Sequence, residues 1–461
     1  MDRTIEARVT GPVSGGRGWA FGTPVADFAG HGYREDEFFF EGVAERYLSA
    51  PGTEFGFDGL WQAEPAGTAR YKTRMVVLRP EDPDAFNGTV LLTWNNVTAG
   101  YDNFGGGDSP ELLEGGYALV AVSAQRAGVH GVGDHPIGLT SWDPERYGAL
   151  SIPSDDYSYD VFTQAARAVG RGRSRHDVDP LGGLEVRRVI AQGASQSAAR
   201  LSTYVNAIQP REHAIDGFSL TLYFGSGSPI EVGDAVVTLP PPGSEDSRPL
   251  PVGSHRLRTD LDVPVMVVNT ECEASSHYEV RQPDTDRYRY WESAGTSHIY
   301  FQAMASVGPR YQRDFGFVPP TERGINEVPM APVVDAALHH LQAWVEHGTP
   351  PPVQPRIEFE GDPPQISRDA DGIARGGIRL PQVEVPIAHN SAIAGSPGVL
   401  SRLGGSCVPF PPEQVRDLYG TKEEYLRRFE EATRAAEKAG VILPRDVDGI
   451  LAEAAEEVPI D

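Results

Sequence analysis

Residues 186–209 read VRRVIAQGASQSAARLSTYVNAIQ, a short apolar strand that turns into a helix through Gly193-Ala194-Ser195-Gln196-Ser197. Such a turn has to be sharp. Gly193 relieves backbone crowding just before the serine, and the small Ser197 lets the helix lie close to the sheet. The Ser195 hydroxyl is thereby lifted clear of the backbone, where a nucleophile must stand. The amide of Gln196, in the first helical turn, points at the space above Ser195 in which an oxyanion would form. The usual form of this pattern has glycine in the last place, so Ser197 is a departure. The strand before it and the helix after it are the context that supports the reading.

Upstream of the elbow, residues 37–47 (EFFFEGVAERY) and 68–78 (TARYKTRMVVL) read as two β-segments of an antiparallel start. After the turn pair Asn87-Gly88, residues 89–94 (TVLLTW) have the length and apolar continuity of a strand buried on both faces. In a fold with its nucleophile on a strand-to-helix elbow, the loop after this strand supplies the second oxyanion amide. That order of elements puts the donor at Asn96 or Val97. Residues 117–124 (YALVAVSA) are another buried strand, leading to Gln125 and Arg126. Asp155 and Asp156 precede a helix over 159–169 and read as its N-terminal caps. Strand and helix then alternate up to the elbow, the signature of a doubly wound α/β sheet. Gly105-Gly106-Gly107-Asp108 reads as a flexible rim, since no Lys-Ser/Thr pair accompanies it to cradle phosphate.

Beyond the elbow, residues 216–224 (DGFSLTLYF), 263–269 (VPVMVVN) and 288–293 (YRYWES) read as further strands. The second ends in Thr270-Glu271-Cys272-Glu273 and the third in Ala294-Gly295-Thr296-Ser297-His298. A serine hydroxyl is a weak nucleophile until an imidazole takes its proton, and the imidazole needs a carboxylate to fix its tautomer and stabilise its charge. His298 is the candidate base. Glu271 and Glu273 read as standing at the end of one strand, with only one of them facing His298. The register that places the acid three residues after a turn-permitting residue favours Glu273, with Thr270 at the turn. Glu271 is the alternative, and otherwise orders a loop. Cys272 reads as a small buried residue, with no helix start or histidine expected nearby to lower its pKa.

The net charge of −25 over 461 residues disfavours nucleic acid and anionic membrane surfaces as partners. A small molecule is the expected ligand. The two cysteines, Cys272 and Cys407, are too few for a disulfide framework and lack metal-ligand spacing, so neither a metal nor an organic cofactor is expected. Met1-Asp2-Arg3 opens no apolar signal-peptide core and no apolar run is long enough to span a bilayer, which makes a cytoplasmic location the default. A catalytic domain is expected over 1–355, with lid-like insertions near 225–260, which include a Pro-rich run, and near 299–330. Residues 356–461 form an extension, with a strand candidate at 383–387 and a capped helix over 421–440.

The chain resembles the bacterial family of alpha/beta hydrolase domain-containing, esterase-like proteins. The resemblance covers most of the length. It rests on Trp142-Asp143-Pro144-Glu145-Arg146-Tyr147-Gly148, Asp156-Tyr157-Ser158-Tyr159-Asp160, the elbow itself, Thr270-Glu271, Trp291-Glu292, the loop from Ala294 to His298, and Gly376-Gly377-Ile378-Arg379. It implies an α/β-hydrolase fold, a mostly parallel eight-stranded sheet flanked by helices, with nucleophile Ser195, base His298 and carboxylic esters as substrates. The expected reaction is ester hydrolysis through an acyl-enzyme, with the amides of Gln196 and of Asn96 or Val97 holding the oxyanion. Acyl transfer, lactone or amide cleavage would use the same residues. A non-catalytic binding module would require a broken triad.

Overall fold

The computed structural model describes residues 7–134, 136–173, 178–233, 252–319, 324–370, 372–393 and 399–460. Two compact units divide the chain, one of Met1–Val265, Glu279–Gln282 and Leu341–Gly348, the other of Met266–Tyr278, Pro283–His340 and Thr349–Asp461. Residues 356–461, expected to form an extension, thus belong to the same unit as the segments that carry Glu273 and His298.

The first unit holds β1 (Arg8–Thr10), β2 (Tyr33–Ser49), β3 (Ala63–Pro80), β4 (Thr89–Trp94), β5 (Ala118–Val122), β6 (Arg188–Ala194) and β7 (Gly217–Thr221). They pair in the order β1-β2-β3-β5-β4-β6-β7. The β1, β2, β3 and β5 neighbours are antiparallel, and the β5, β4, β6 and β7 neighbours are parallel. Every residue of β4 and β5 is buried, which is why their sequences run apolar without alternation. The helix Ser158–Val169 covers this part of the sheet, setting Phe162 and Tyr159 against Trp94 with ring centroids 4.6 and 5.7 Å apart. β2 and β3 extend further than the two segments read from the sequence, pairing from Tyr33 opposite Pro80 to Ser49 opposite Ala63.

The second unit holds β8 (Val265–Thr270), all but its first residue, and β9 (Tyr288–Ser293), both buried at every position. Among the described residues the strands labelled β1 to β9 number nine rather than the eight expected of the main sheet, the added one being the three-residue β1. Residues 383–387 are not a strand. Pro381 starts a helical turn there, Pro381–Glu384, and the strand follows at Ala388–Ser391, paired with Ser406–Pro409. Thr421 caps the helix Lys422–Lys438, whose buried stripe of Tyr425, Phe429, Thr433 and Ala436 is placed to pack on the helix Val447–Glu457. In the expected lid regions, Ser226–Gly227 pairs with Val252–Ser254, and two helices run at Phe301–Ser306 and Gly308–Phe315. The Pro-rich run within 234–251 lies outside the described residues. Among the described residues no helix is long and apolar enough to cross a membrane.

Asp160, on the helix Ser158–Val169, is buried and accepts from the Glu45 amide at 2.8 Å and from Gln164 Nε2 at 2.7 Å. Burial outweighs these bonds and pushes its carboxyl up to about 6. Between an unfolded value of about 4 and that value, the native state holds a proton the unfolded chain has released. This group therefore makes stability fall as pH rises through the window. The substitution Asp160→Asn is expected to flatten that part of the stability profile in denaturant titrations, and a slope unchanged by it would contradict the account.

Candidate active site

β6 delivers the chain to Ser195 with φ 59° and ψ −118°, a left-handed backbone that a side-chain-bearing residue adopts only under constraint. The constraint comes from both sides of the elbow. The Ser195 amide donates to Thr221 O of β7 at 2.9 Å. The Ser197 hydroxyl takes the Ala194 amide at 3.0 Å and donates to Ala194 O at 2.9 Å, which gives the serine in the last place of the pattern a bonding role glycine would lack. A Cβ on Gly193 would stand 2.9 Å from the carbonyl carbon and oxygen of Ser197, so the close helix approach requires glycine there. The helix Gln196–Thr203 begins at once, and the Ser195 side chain makes no capping bond to it.

The loop after β4 lies against this elbow. Asn96 Nδ2 donates to Ala194 O at 3.0 Å, while the Asn96 amide donates to Asn103 O at 3.2 Å and is thereby occupied within its own loop. The Val97 amide instead makes a long 3.4 Å bond to Gln196 Oε1. Asp102 anchors the same loop. Its carboxylate accepts from Arg74 Nη2 at 3.2 Å and from the Ser123 hydroxyl, and Arg74 Nη1 donates to Glu37 at 2.9 Å, all of these side chains buried. Arg146 completes the pairing with a 2.6 Å bond from Nε to Glu37.

In the second unit Glu271 and Glu273 are not on a strand. β8 ends at Thr270 and a helix, Glu271–His277, begins, so the two glutamates occupy its first turn. The Thr270 amide and hydroxyl both donate to Glu273 Oε2, at 2.9 and 2.5 Å, leaving Oε1 at 2.7 Å from His298 Nδ1. Glu271 turns elsewhere. It accepts the Gly295 amide at 2.7 Å and pairs with Arg368 Nη1 at 2.7 Å, tying down the loop that carries His298. Asn326 Nδ2 holds Gly295 O from the other side at 2.8 Å. Gly376-Gly377-Ile378-Arg379 supports this loop as well. Ile378 bridges in parallel to Ser293, and its carbonyl takes the Ala294 amide at 2.8 Å. Cys272 sits at a helix start, is only partly buried and lies beside the His298 backbone, all contrary to the sequence reading, yet the burial it has pushes its thiol up to about 12, the opposite of activation.

The first unit thus brings together Ser195, Gln196, Asn96 and Val97, and the second brings together Glu273 and His298. Three buried residues of the first unit that the sequence reading did not connect with the elbow meet beside Gln196: Gln125, Asp155 and Arg200. Asp155 and Asp156 are not the caps expected. Ser154 takes the Asp156 amide at 3.2 Å, while Asp155 pairs with Arg200 at 2.9 Å and accepts the Arg126 amide at 2.6 Å. Asp156 accepts the Val232 and Gly233 amides at 2.6 and 3.0 Å. The available signal was Arg200 standing four residues after Gln196, on the same helix face.

The family described as Alpha/beta hydrolase domain matches residues 9–452. Comparison with curated proteins returned no match. Among solved structures, brefeldin A esterase, a bacterial homologue of human hormone sensitive lipase, is similar at 15% identity over 44% of this chain and 44% of that one, with TM-score 0.22. Esterase Est22 is similar at 13% identity over 55% of this chain and 70% of its own, with TM-score 0.28. Tannin acyl hydrolase from Aspergillus niger is similar at 15% identity over 48% and 33%, with TM-score 0.20.

The strained backbone at Ser195 carries a stability consequence. Replacing it by glycine, Ser195→Gly, removes the steric cost and is expected to raise the unfolding free energy by about 1 kcal/mol or more. Denaturant midpoints compared at equal m-value check this, and a destabilised Ser195→Gly would count against stored strain at the elbow.

Proposed function

The chain belongs to the alpha/beta hydrolase domain family, and from that premise we propose that the protein is a serine hydrolase of carboxylic esters. The observation that carries the reading is Ser195 held at φ 59° between a buried strand and a helix that starts on the next residue. A fold keeps a non-glycine residue in such a conformation where the position of its side chain matters. The 2.7 Å bond between Glu273 and His298 Nδ1 supports it from the second unit, because a donating Nδ1–H leaves Nε2 as the basic nitrogen.

In the proposed reaction Ser195 Oγ attacks the ester carbonyl carbon while its proton passes to His298 Nε2. The carbonyl electrons move onto oxygen, and the amides of Gln196 and Val97 receive that oxyanion. Val97 is preferred to Asn96 because its amide makes only the long 3.4 Å bond to the Gln196 side chain, which can give way, whereas the Asn96 amide is bonded to the backbone oxygen of Asn103 within its own loop. Collapse of the tetrahedral adduct breaks the bond to the alcohol oxygen, which leaves with the proton from His298. A water molecule, deprotonated by His298, then attacks the acyl carbonyl, and the carboxylic acid departs as Ser195 Oγ regains a proton. Glu273 orients the ring and stabilises its charged form, and Glu271 braces the loop.

Hydrolysis of short p-nitrophenyl esters, with acyl-enzyme followed by intact mass, tests this. Wild-type protein is expected to turn over and accumulate the adduct, and Ser195→Ala to do neither. Glu273→Gln is expected to lower kcat on the order of 10³- to 10⁴-fold, whereas Glu271→Gln is expected to lower stability more than kcat. Equal activity in wild type and Ser195→Ala would remove Ser195 from the mechanism, and a larger kcat loss for Glu271→Gln would exchange the two glutamates.

A further inference from the structure

The elbow helix projects two side chains to one side, Gln196 and, one turn on, Arg200. Arg200 Nη2 donates to Asp155 Oδ2 at 2.9 Å, and Gln125 Nε2 donates to the same oxygen at 3.2 Å. Gln196 Nε2 donates to Gln125 Oε1 at 3.1 Å, which closes a ring through the helix backbone. Trp94 Nε1, from the end of β4, also donates to Gln125 Oε1, at 3.0 Å. Gln125, Asp155 and Arg200 are each at most 1% exposed.

The polarity of this ring leaves no choice of orientation. A carboxylate only accepts and an indole N–H only donates. Gln125, lying between Asp155 and Trp94, must therefore turn its NH₂ to the first and its carbonyl to the second. That carbonyl in turn requires the NH₂ of Gln196. What remains of the Gln196 side chain is its own carbonyl, and it faces the Val97 amide at 3.4 Å. Direction set at a buried ion pair is passed through two amide side chains to the loop after β4.

We propose that Gln125, oriented by the Asp155–Arg200 pair, is a positioning residue for the oxyanion hole. It acts through the Gln196 side chain, whose carbonyl takes the Val97 N–H at 3.4 Å and so holds the loop after β4 in register until an oxyanion competes for that N–H. Gln196 then serves the hole twice, with its backbone amide as a donor and its side-chain carbonyl as the register for the other donor. This rests on the serine-esterase reading given above. A positioned amide stabilises charge only as it develops, so its loss falls on kcat and leaves substrate binding nearly unchanged.

The experiment is a double-mutant cycle on p-nitrophenyl ester hydrolysis with Gln125→Met, Gln196→Met and both together, beside wild type and Ser195→Ala. Methionine keeps the length of each side chain and removes its hydrogen bonding. Each single variant is expected to lose about 10- to 100-fold in kcat, with KM within about twofold, against the 10²- to 10³-fold of deleting an oxyanion donor outright. The double variant is expected to be no worse than the poorer single, since both interrupt one path. Affinity for a boronic acid that mimics the tetrahedral adduct should fall in step with kcat. Losses that multiply in the double variant, losses confined to KM, or kcat unchanged in either single variant would overturn the proposal. Should Gln125→Met fail to fold, Gln196→Met, altering a side chain only partly buried, decides with the same kcat and boronate readings. An active Ser195→Ala, or a wild type that neither turns over nor is labelled by a fluorophosphonate, sinks the esterase reading and this inference with it. Failure of the cycle alone leaves that reading standing.

Discussion

The backbone of Ser195 is the constraint around which the first unit is arranged. A residue with φ near +60° and a side chain is unfavourable by about 1–3 kcal/mol in isolation, so its neighbours must each be right. Gly193 has to be glycine because the helix carbonyl at Ser197 comes within 2.9 Å of where a Cβ would be. Ser197 has to be small and is better for being polar, because its hydroxyl bonds both amide and carbonyl of Ala194. The β7 carbonyl at Thr221 fixes the Ser195 amide. None of these groups touches a reacting atom. Together they convert packing energy of the buried parallel strands into the exact placement of one hydroxyl, which is how a rigid scaffold supports a site built at its loops.

The second unit solves a parallel problem with charge. Two glutamates separated by one residue could serve one histidine interchangeably, and both are buried. They are told apart by their surroundings. Thr270 presents an amide and a hydroxyl to a single oxygen of Glu273, which leaves the other oxygen for His298 Nδ1. Glu271 meets Arg368 and the Gly295 amide and becomes part of the loop. A buried carboxylate with a cation or several N–H donors is settled, whereas one with none would be costly. Each glutamate therefore has its partners dictated by the first helical turn, which points them in different directions.

Much of this was legible in the sequence. Continuous apolar runs marked β4, β5 and β8 to within a residue or two, the usual pattern of strands buried on both faces, while β9 stood out by its aromatic residues although it also buries Arg289 and Glu292. The elbow was legible because its chemistry requires small residues at fixed offsets. The pair Glu271 and Glu273 was placed on the wrong element. On a strand residues i and i+2 share a face, so a strand would have turned both glutamates the same way; the helix that Thr270 begins separates them, because i and i+2 lie about 200° apart around its axis. The strand expected at 383–387 failed for a related reason: Pro381 starts a helical turn, and a short apolar run carries no period of its own.

What sequence could not show is where polar residues from distant positions meet. Asp155 looked like a cap because an acidic residue before a helix usually is one. In the fold it is instead the buried partner of Arg200 and the acceptor for the Arg126 amide. Glu37, Arg74, Arg146 and Asp102 likewise form one buried pairing from four separate stretches. Buried ion pairs add little to stability when weighed against apolar residues of the same shape. Their value is direction. An apolar contact tolerates sliding and rotation, while a carboxylate facing a guanidinium admits few arrangements and imposes donor and acceptor sense on every amide bonded to it. A loop that must aim one N–H at a particular point is therefore better held by a chain of such groups than by packing alone, and both loop anchors in the first unit, Asp102 and Asp155, are of that kind.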